Sequence, residues 1–322
     1  MRLVEAERAA QAIRQQFHGP ATAAEQVLES YHAGLVVPAA GVVLLDGYRE
    51  DWGVGVELIA AGQMTVDETP GQILGTIELW RRRITAAAGT GPAAVDWLGT
   101  VGAFCRPVQV AAQLGVRVNR GAMCCVTRHP QRGNEVLTCN HVAAGCDQRA
   151  VGDPVTVTEC GGPGHTGSLA DSCPITGAGA TGYDAALVAL PVGTDPSAVF
   201  AGIGVGVTGM LDPLAVTGAV DVCGPVTSAQ GTLGTRRLGP VPVSMAHVGG
   251  PAAVVLWDVS VVRVGPRIPF SAPGDSGSLV TTGTDAIGMV IAGGSSAGPS
   301  GPGTLIAPLP ATLGLLGVSL VP

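Results

Sequence analysis

Apolar positions change their period about a third of the way along the chain. In residues 3–17, Leu3, Ala6, Ala10, Ile13 and Phe17 fall on one face of a helix. A second helix-forming run covers residues 21–32, and His18-Gly19-Pro20 breaks the two apart. Two β-like runs follow, at 41–45 and 53–59, and then a third expected helix from Gln72 to Ala88 with Pro70 near its start. Residues 89–92, Gly-Thr-Gly-Pro, read as a linker. From about residue 112 short β-branched or apolar runs take over, at 116–118, 122–127, 135–138, 155–158, 185–190, 254–257 and 288–292. Gly, Pro, Asn or Asp divides them. This predicts an all-β sandwich or barrel pair after residue 112, with a closing helix at 308–318. The helical and mixed first part, residues 1–111, is expected to be a separate accessory domain.

Composition supports that outline. Of 322 residues, 46% are hydrophobic and 13% charged, enough apolar surface for a large core. Aromatics make up only 3%, whereas there are 49 glycines and 24 prolines, so small side chains and turns dominate. The formal net charge is −7, and all 17 basic residues are arginine. No basic face beyond the run Arg81-Arg82-Arg83 is visible, which argues against a nucleic-acid partner. No uninterrupted apolar run reaches the roughly eighteen residues of a membrane span. Arginine without lysine, together with abundant Ala, Gly and Pro, fits GC-rich coding and points to a bacterial source. The first ten residues lack the basic start and apolar run of a secretory signal, so a cytoplasmic location and free thiols at the eight cysteines are expected.

Three local motifs carry chemistry. Ser276 lies in Pro273-Gly-Asp-Ser-Gly-Ser278, where flanking glycines let successive N–H groups converge on an oxyanion. A serine hydroxyl needs a base to take its proton. His141 follows the apolar run Leu137-Thr-Cys-Asn, and Asp184 stands at the entrance of the run Ala185–Leu190. A carboxylate there is expected to be buried and to need a partner, which an imidazole N–H supplies. Each residue alone has a bland reading as a turn or surface residue. Together, in the order His, Asp, Ser, they make a nucleophile, a base and a residue that orients the base.

The same segments resemble trypsin-like serine proteases. Thr138-Cys-Asn-His-Val-Ala-Ala144 is similar to the Thr-Ala-Ala-His region of that superfamily, Asp184-Ala-Ala-Leu-Val to Asp-Ile-Ala-Leu, and Gly-Asp-Ser-Gly is shared. Within it, Asn140-His-Val142, Ser271-Ala-Pro-Gly-Asp-Ser-Gly277 and Ile287-Gly-Met-Val-Ile-Ala-Gly293 look closest to the narrow-leaf-type branch. The resemblance covers residues 112–322 and implies a chymotrypsin-like double β-barrel, mainly β, preceded by a smaller α/β region. It implies His141, Asp184 and Ser276 as the catalytic triad and the N–H groups of Gly274 and Ser276 as the oxyanion hole. It places Phe270 at the base of the P1 pocket and Ile291, Ala292 and Gly293 on the edge that pairs with substrate backbone. An apolar pocket base implies a small or medium apolar P1 residue. No cofactor or metal is implied, and the partner is a protein or peptide substrate. Residue 278 is serine where the family usually has glycine, and no activation cleavage site is evident to explain what holds Asp275.

Two other classes compete. Cys160, His165 and Cys173 have a zinc-like look but match no standard spacing and lack an obvious fourth ligand. A non-catalytic binding or regulatory module on a protease fold usually loses a triad member, and all three are here. Residues 1–111 are expected either to gate the cleft or to dock a regulatory partner.

Overall fold

A computed structural model describes residues 1–19, 24–45, 51–61, 69–88, 93–103, 106–108, 118–158, 164–191, 206–294 and 298–322. The expected linker at 89–92, the start of the expected strand at 116–118, Cys105 and Cys160 lie outside these residues.

The first part follows its periodicity. Helix α1 (Leu3–His18) buries Ala6, Ala9, Ala10 and Ile13, and α2 (Ala24–His32) buries Val27 and Tyr31. Strands β1 (Val37–Leu44) and β2 (Trp52–Ala60) pair antiparallel along their length. Helix α3 (Pro70–Ala88) leads into β3 (Ala94–Ala103), which lies parallel to β2. Apolar side chains from α1, α3 and β1–β3, among them Ile13, Val56, Ile77, Trp80 and Trp97, form a core of their own.

The remainder is built almost wholly of strands. β4 (Arg106–Val108) and β5 (Val118–Arg120) make a short ribbon. β6 (Cys125–His129), β7 (Gly133–Thr138), the one-turn α4 (Asn140–Ala143), β8 (Pro154–Thr158), β9 (Gly164–Ser172) and β10 (Ala186–Ala189) follow. Next come β11 (Gly209–Met210), β12 (Ala219–Cys223), β13 (Ser228–Leu233), β14 (Arg236–Gly239), β15 (Val241–Val243), β16 (Val254–Leu256) and β17 (Ser260–Arg263). The chain ends with β18 (Leu279–Thr282), β19 (Asp285–Gly294), β20 (Thr304–Pro308), α5 (Leu309–Leu316) and β21 (Ser319–Leu320). One sheet runs β21-β6-β7-β10-β9-β8. In the other, β19-β18-β12-β13-β17-β20 returns to β19, because β20 pairs with both β17 and β19, and this closes a ring. The expected mainly β class is present, with one closed six-stranded ring and a second six-stranded sheet, consistent with a chymotrypsin-like fold.

The first part is joined to this ring by backbone and by charge. The path β14-β1-β2-β3 continues directly into β19. Glu57 on β2, 1% exposed, accepts hydrogen bonds from Arg263 of β17 at 3.1 and 2.7 Å and from Thr235 at 2.8 Å. Asp96 on β3 lies 3.4 Å from the same guanidinium. Among the described residues no helix is long and apolar enough to cross a membrane.

Candidate functional site

His141 begins where β7 stops. Cys139 has extended backbone and α4 starts at Asn140, so the chain turns sharply and buries the imidazole. Asp184 precedes β10, the strand that pairs with β7 in register Ala186↔Thr138. Neighbouring strands thus bring the two residues together. The Asp184 carboxylate accepts from the His141 backbone N–H at 3.0 Å and meets His141 Nδ1 at 2.5 Å. An ionised carboxylate only accepts, so Nδ1 carries the proton and Nε2 is the basic nitrogen.

A second carboxylate fixes this loop. Asp147, at φ 65°, accepts from Asn140 Nδ2 at 2.6 Å and from the Ile175 N–H, Thr176 N–H and Thr176 hydroxyl at 2.8–2.9 Å. Asn140 also donates to the Cys173 carbonyl at 2.9 Å. Asn140 and Asp147 therefore tie the His141 turn to the segment leading to Asp184. Sequence reading quoted Asn140 only as part of a motif and missed Asp147, whose Cys-Asp-Gln surroundings give no signal.

Ser276 sits in a turn pressed against β7 and β19. Its carbonyl accepts from Ala122 N–H at 2.6 Å, Gly277 N–H donates to Val290 O at 2.8 Å, and Cys139 Sγ donates to the same Val290 O at 3.3 Å. The last two bonds set the strand end before His141 and the Ser276 turn on one carbonyl. Gly277, at φ 94°, cannot be replaced cheaply, since a Cβ there would lie 2.0 Å from Ala122 O. Ser276 Oγ donates to Ile291 O at 3.3 Å. Gly274 has φ 114°, and neither its N–H nor that of Ser276 has an acceptor among the described residues, which leaves both available as donors.

The support of Asp275, open from sequence, has a local answer. Its carboxylate accepts from Val226 N–H at 2.9 Å, Thr227 N–H at 3.3 Å and Ala272 N–H at 2.9 Å. Backbone donors from the β12–β13 turn and from Ala272 in its own loop thus satisfy this fully buried carboxylate without a newly cut N-terminus.

The remaining expected positions divide between two cores. Phe270 is fully buried with Val262, Val280 and Val290, on one face of β19. Ile291 and Ala292 both belong to the main core, where the register of β19 shifts between Val290 and Ala292. Ala292 and Gly293 pair on one edge with β20 and on the other with β3, Ala292↔Ala103 and Gly293↔Gly102.

Thiols crowd this region without forming an evident ligand set. Cys139, His141 and Asp184 place ligand atoms within 4.8 Å of one another, but the Cys139 thiol and the His141 Nδ1 are engaged in the hydrogen bonds above. Burial, followed by the Asp184 and Asp147 charges, pushes the Cys146 thiol up to about 12. Burial does the same for Cys173, also to about 12, against the opposing effect of a Thr181 hydrogen bond. A thiol so reluctant to ionise is a poor nucleophile. Of the six described cysteines, none of which is in a disulfide, only Cys223 is exposed. Iodoacetamide at pH 8 is expected to modify Cys223 and to spare Cys146 and Cys173 in the native protein. Peptide mapping checks this, and rapid modification of either buried thiol would contradict it.

Comparison with protein-family models and with curated proteins finds no match. Among solved structures, this chain is similar to a glutamic acid specific serine protease that utilizes a histidine triad in substrate binding. That match has 19% identity, covers 68% of this chain and 98% of that one, and has a TM-score of 0.42. It is also similar to Thermobifida fusca protease A, at 19% identity over 64% of this chain and 91% of that one, TM-score 0.39. A chymotrypsin of Cellulomonas bogoriensis gives 18% identity, 63% and 91% coverage, and a TM-score of 0.39.

Proposed function

We propose that the chain is a serine endopeptidase in which Ser276 attacks the scissile carbonyl, His141 takes the proton through Nε2, and Asp184 holds and stabilises the imidazolium. The observation that carries this reading is the buried His141–Asp184 pair, bonded through both the ring and the backbone N–H, on the same framework as the Ser276 turn. Attack by Oγ would form a tetrahedral oxyanion facing the Gly274 and Ser276 N–H groups. Collapse would release the amine, protonated by His141, and leave an acyl-Ser276 that water hydrolyses by the same relay. The P1 preference rests on the sequence resemblance alone: Phe270, the position expected at the pocket base, carries no charge, which favours a small or medium apolar residue before the scissile bond, although its side chain is packed in the core with Val262, Val280 and Val290. Residues 112–322 then form the proteolytic domain and residues 1–111 an accessory region, with one apolar cluster of its own but sharing the main core through Val27, Val37, Ile59 and Leu98. The buried thiols favour a reducing, cytoplasmic setting and a specific intracellular protein as substrate.

The full burial of all three residues also fits the rival reading, a protease fold kept as a silent binding module. Labelling with a fluorophosphonate probe separates the two. Labelling of the wild type that disappears in Ser276→Ala and falls sharply in His141→Ala supports the enzyme. Labelling that survives Ser276→Ala would overturn the assignment of the nucleophile, and no labelling after prolonged exposure to saturating probe would favour the silent module.

A further inference from the structure

We propose that residues 101–103, the end of β3, hold the site in a self-blocked state by occupying the backbone edge on which a peptide substrate would lie. This inference rests on the proteolytic reading of Ser276.

The case comes from what lines one edge of β19. Strand β18 pairs with it as far as Leu279↔Met289. The nucleophile turn takes the next position, through Gly277 N–H to Val290 O at 2.8 Å and Val290 N–H to Ser278 O at 2.9 Å. Ser276 Oγ then bonds Ile291 O. Directly beyond, Ala292, Gly293 and Gly294 pair antiparallel with Ala103, Gly102 and Val101. As β3 runs from 101 to 103 it therefore advances along β19 toward Ser276. A peptide that pairs here and presents its next carbonyl to Ser276 must run in that same direction. An extended peptide adds to a sheet edge through its main chain, so only one strand can hold this edge at a time.

The strand end is clamped from its other side. Ser244 N–H donates to Val101 O at 2.8 Å and Ala103 N–H donates to Ser244 O at 3.1 Å, which turns the Gly102 main-chain groups toward β19. His247 Nε2 lies 2.5 Å from Ala103 O. Val101 and Ala103 are buried, and Ser276, His141 and Asp184 are each 0% exposed beside them. Release does not require unfolding the first part of the chain. Pairing of β3 with β2 covers residues 94–100 and stops before Val101, so the last three residues can leave β19 while the rest of β3 stays in place. The occupant also describes what fits: Gly102 and Ala103, paired with Gly293 and Ala292, point to substrates with small residues at the third and second positions before the scissile bond.

The test uses the full chain, a fluorophosphonate probe, and the chromogenic peptide acetyl-Val-Gly-Ala-Phe p-nitroanilide, the sequence of residues 101–104. Gly102→Pro removes the central N–H from the pairing, and His247→Ala, at an exposed position, removes the contact on Ala103 O. Labelling and hydrolysis are expected to rise about tenfold in Gly102→Pro, the scale of one net hydrogen bond, and by a smaller factor in His247→Ala. Equal rates in wild type and both variants, with labelling dependent on Ser276, would overturn the blocked state and leave the proteolytic reading standing. No Ser276-dependent labelling in any folded variant would remove that reading and this inference with it. Should Gly102→Pro fail to fold, hydrogen exchange at the Gly102 amide in the wild type decides. Faster exchange once acetyl-Val-Gly-Ala-phenylalaninal is bound at Ser276 supports displacement, and unchanged protection overturns it.

Discussion

Asp184→Asn is expected to lower kcat for peptide hydrolysis by about 10⁴-fold at neutral pH, the size of effect that the wrong imidazole tautomer produces in such a relay. The asparagine oxygen can still accept from the His141 backbone N–H, as Asp184 does at 3.0 Å, so the turn should keep its shape. The amide NH₂, however, would donate to Nδ1 where the carboxylate now accepts. The ring would then carry its proton on Nε2 and could not take one from Ser276. KM should change little, because the substitution touches neither β19 nor the Ser276 turn. Steady-state kinetics on the chromogenic peptide, with circular dichroism to confirm the fold, make the check. A loss of less than tenfold would mean that Asp184 only packs the histidine.

The second large effect concerns stability. Glu57→Ala should cost about 3–5 kcal/mol of unfolding free energy, the usual consequence of removing one partner from a buried ion pair. Arg263, 12% exposed, would keep only the more distant Asp96, and the Thr235 hydroxyl would lose its acceptor. Glu57 is on β2 and Arg263 on β17, so the loss would fall on the join between the first part of the chain and the closed ring. Urea denaturation measures it. The pair's own worth is smaller than either truncation suggests, so a Glu57→Met, Arg263→Met double variant should be more stable than the sum of the single changes predicts. A cost below 1 kcal/mol for Glu57→Ala would show that water already reaches this pair.

Several features of this protein were legible in its residues. The alignment of Leu3, Ala6, Ala10, Ile13 and Phe17 located α1, and the apolar run around Val136 located β7, because periodicity reports which face is buried whatever does the burying. The closing helix was expected at 308–318 and spans Leu309–Leu316, capped by Gly317 in the left-handed region. The His141, Asp184 and Ser276 motifs were visible because each chemistry needs a particular residue in a particular local turn. β3 was not anticipated. Its sequence, Ala-Val-Asp-Trp-Leu-Gly-Thr-Val-Gly-Ala, carries two glycines and an aspartate that dilute any strand signal.

By itself, then, the sequence determined the helical opening, the strand-rich remainder and the identity of the residues proposed for acyl transfer. Those properties follow from side-chain chemistry and short-range spacing. Tertiary structure alone decided that β3 lies on β19 beside Ser276, that Val226, Thr227 and Ala272 hold Asp275, and that Asp147 braces the His141 turn. Each of these uses main-chain donors and acceptors, or a carboxylate reaching them. Every residue carries such backbone groups, so their pairing leaves little trace in residue identity until the chain is folded.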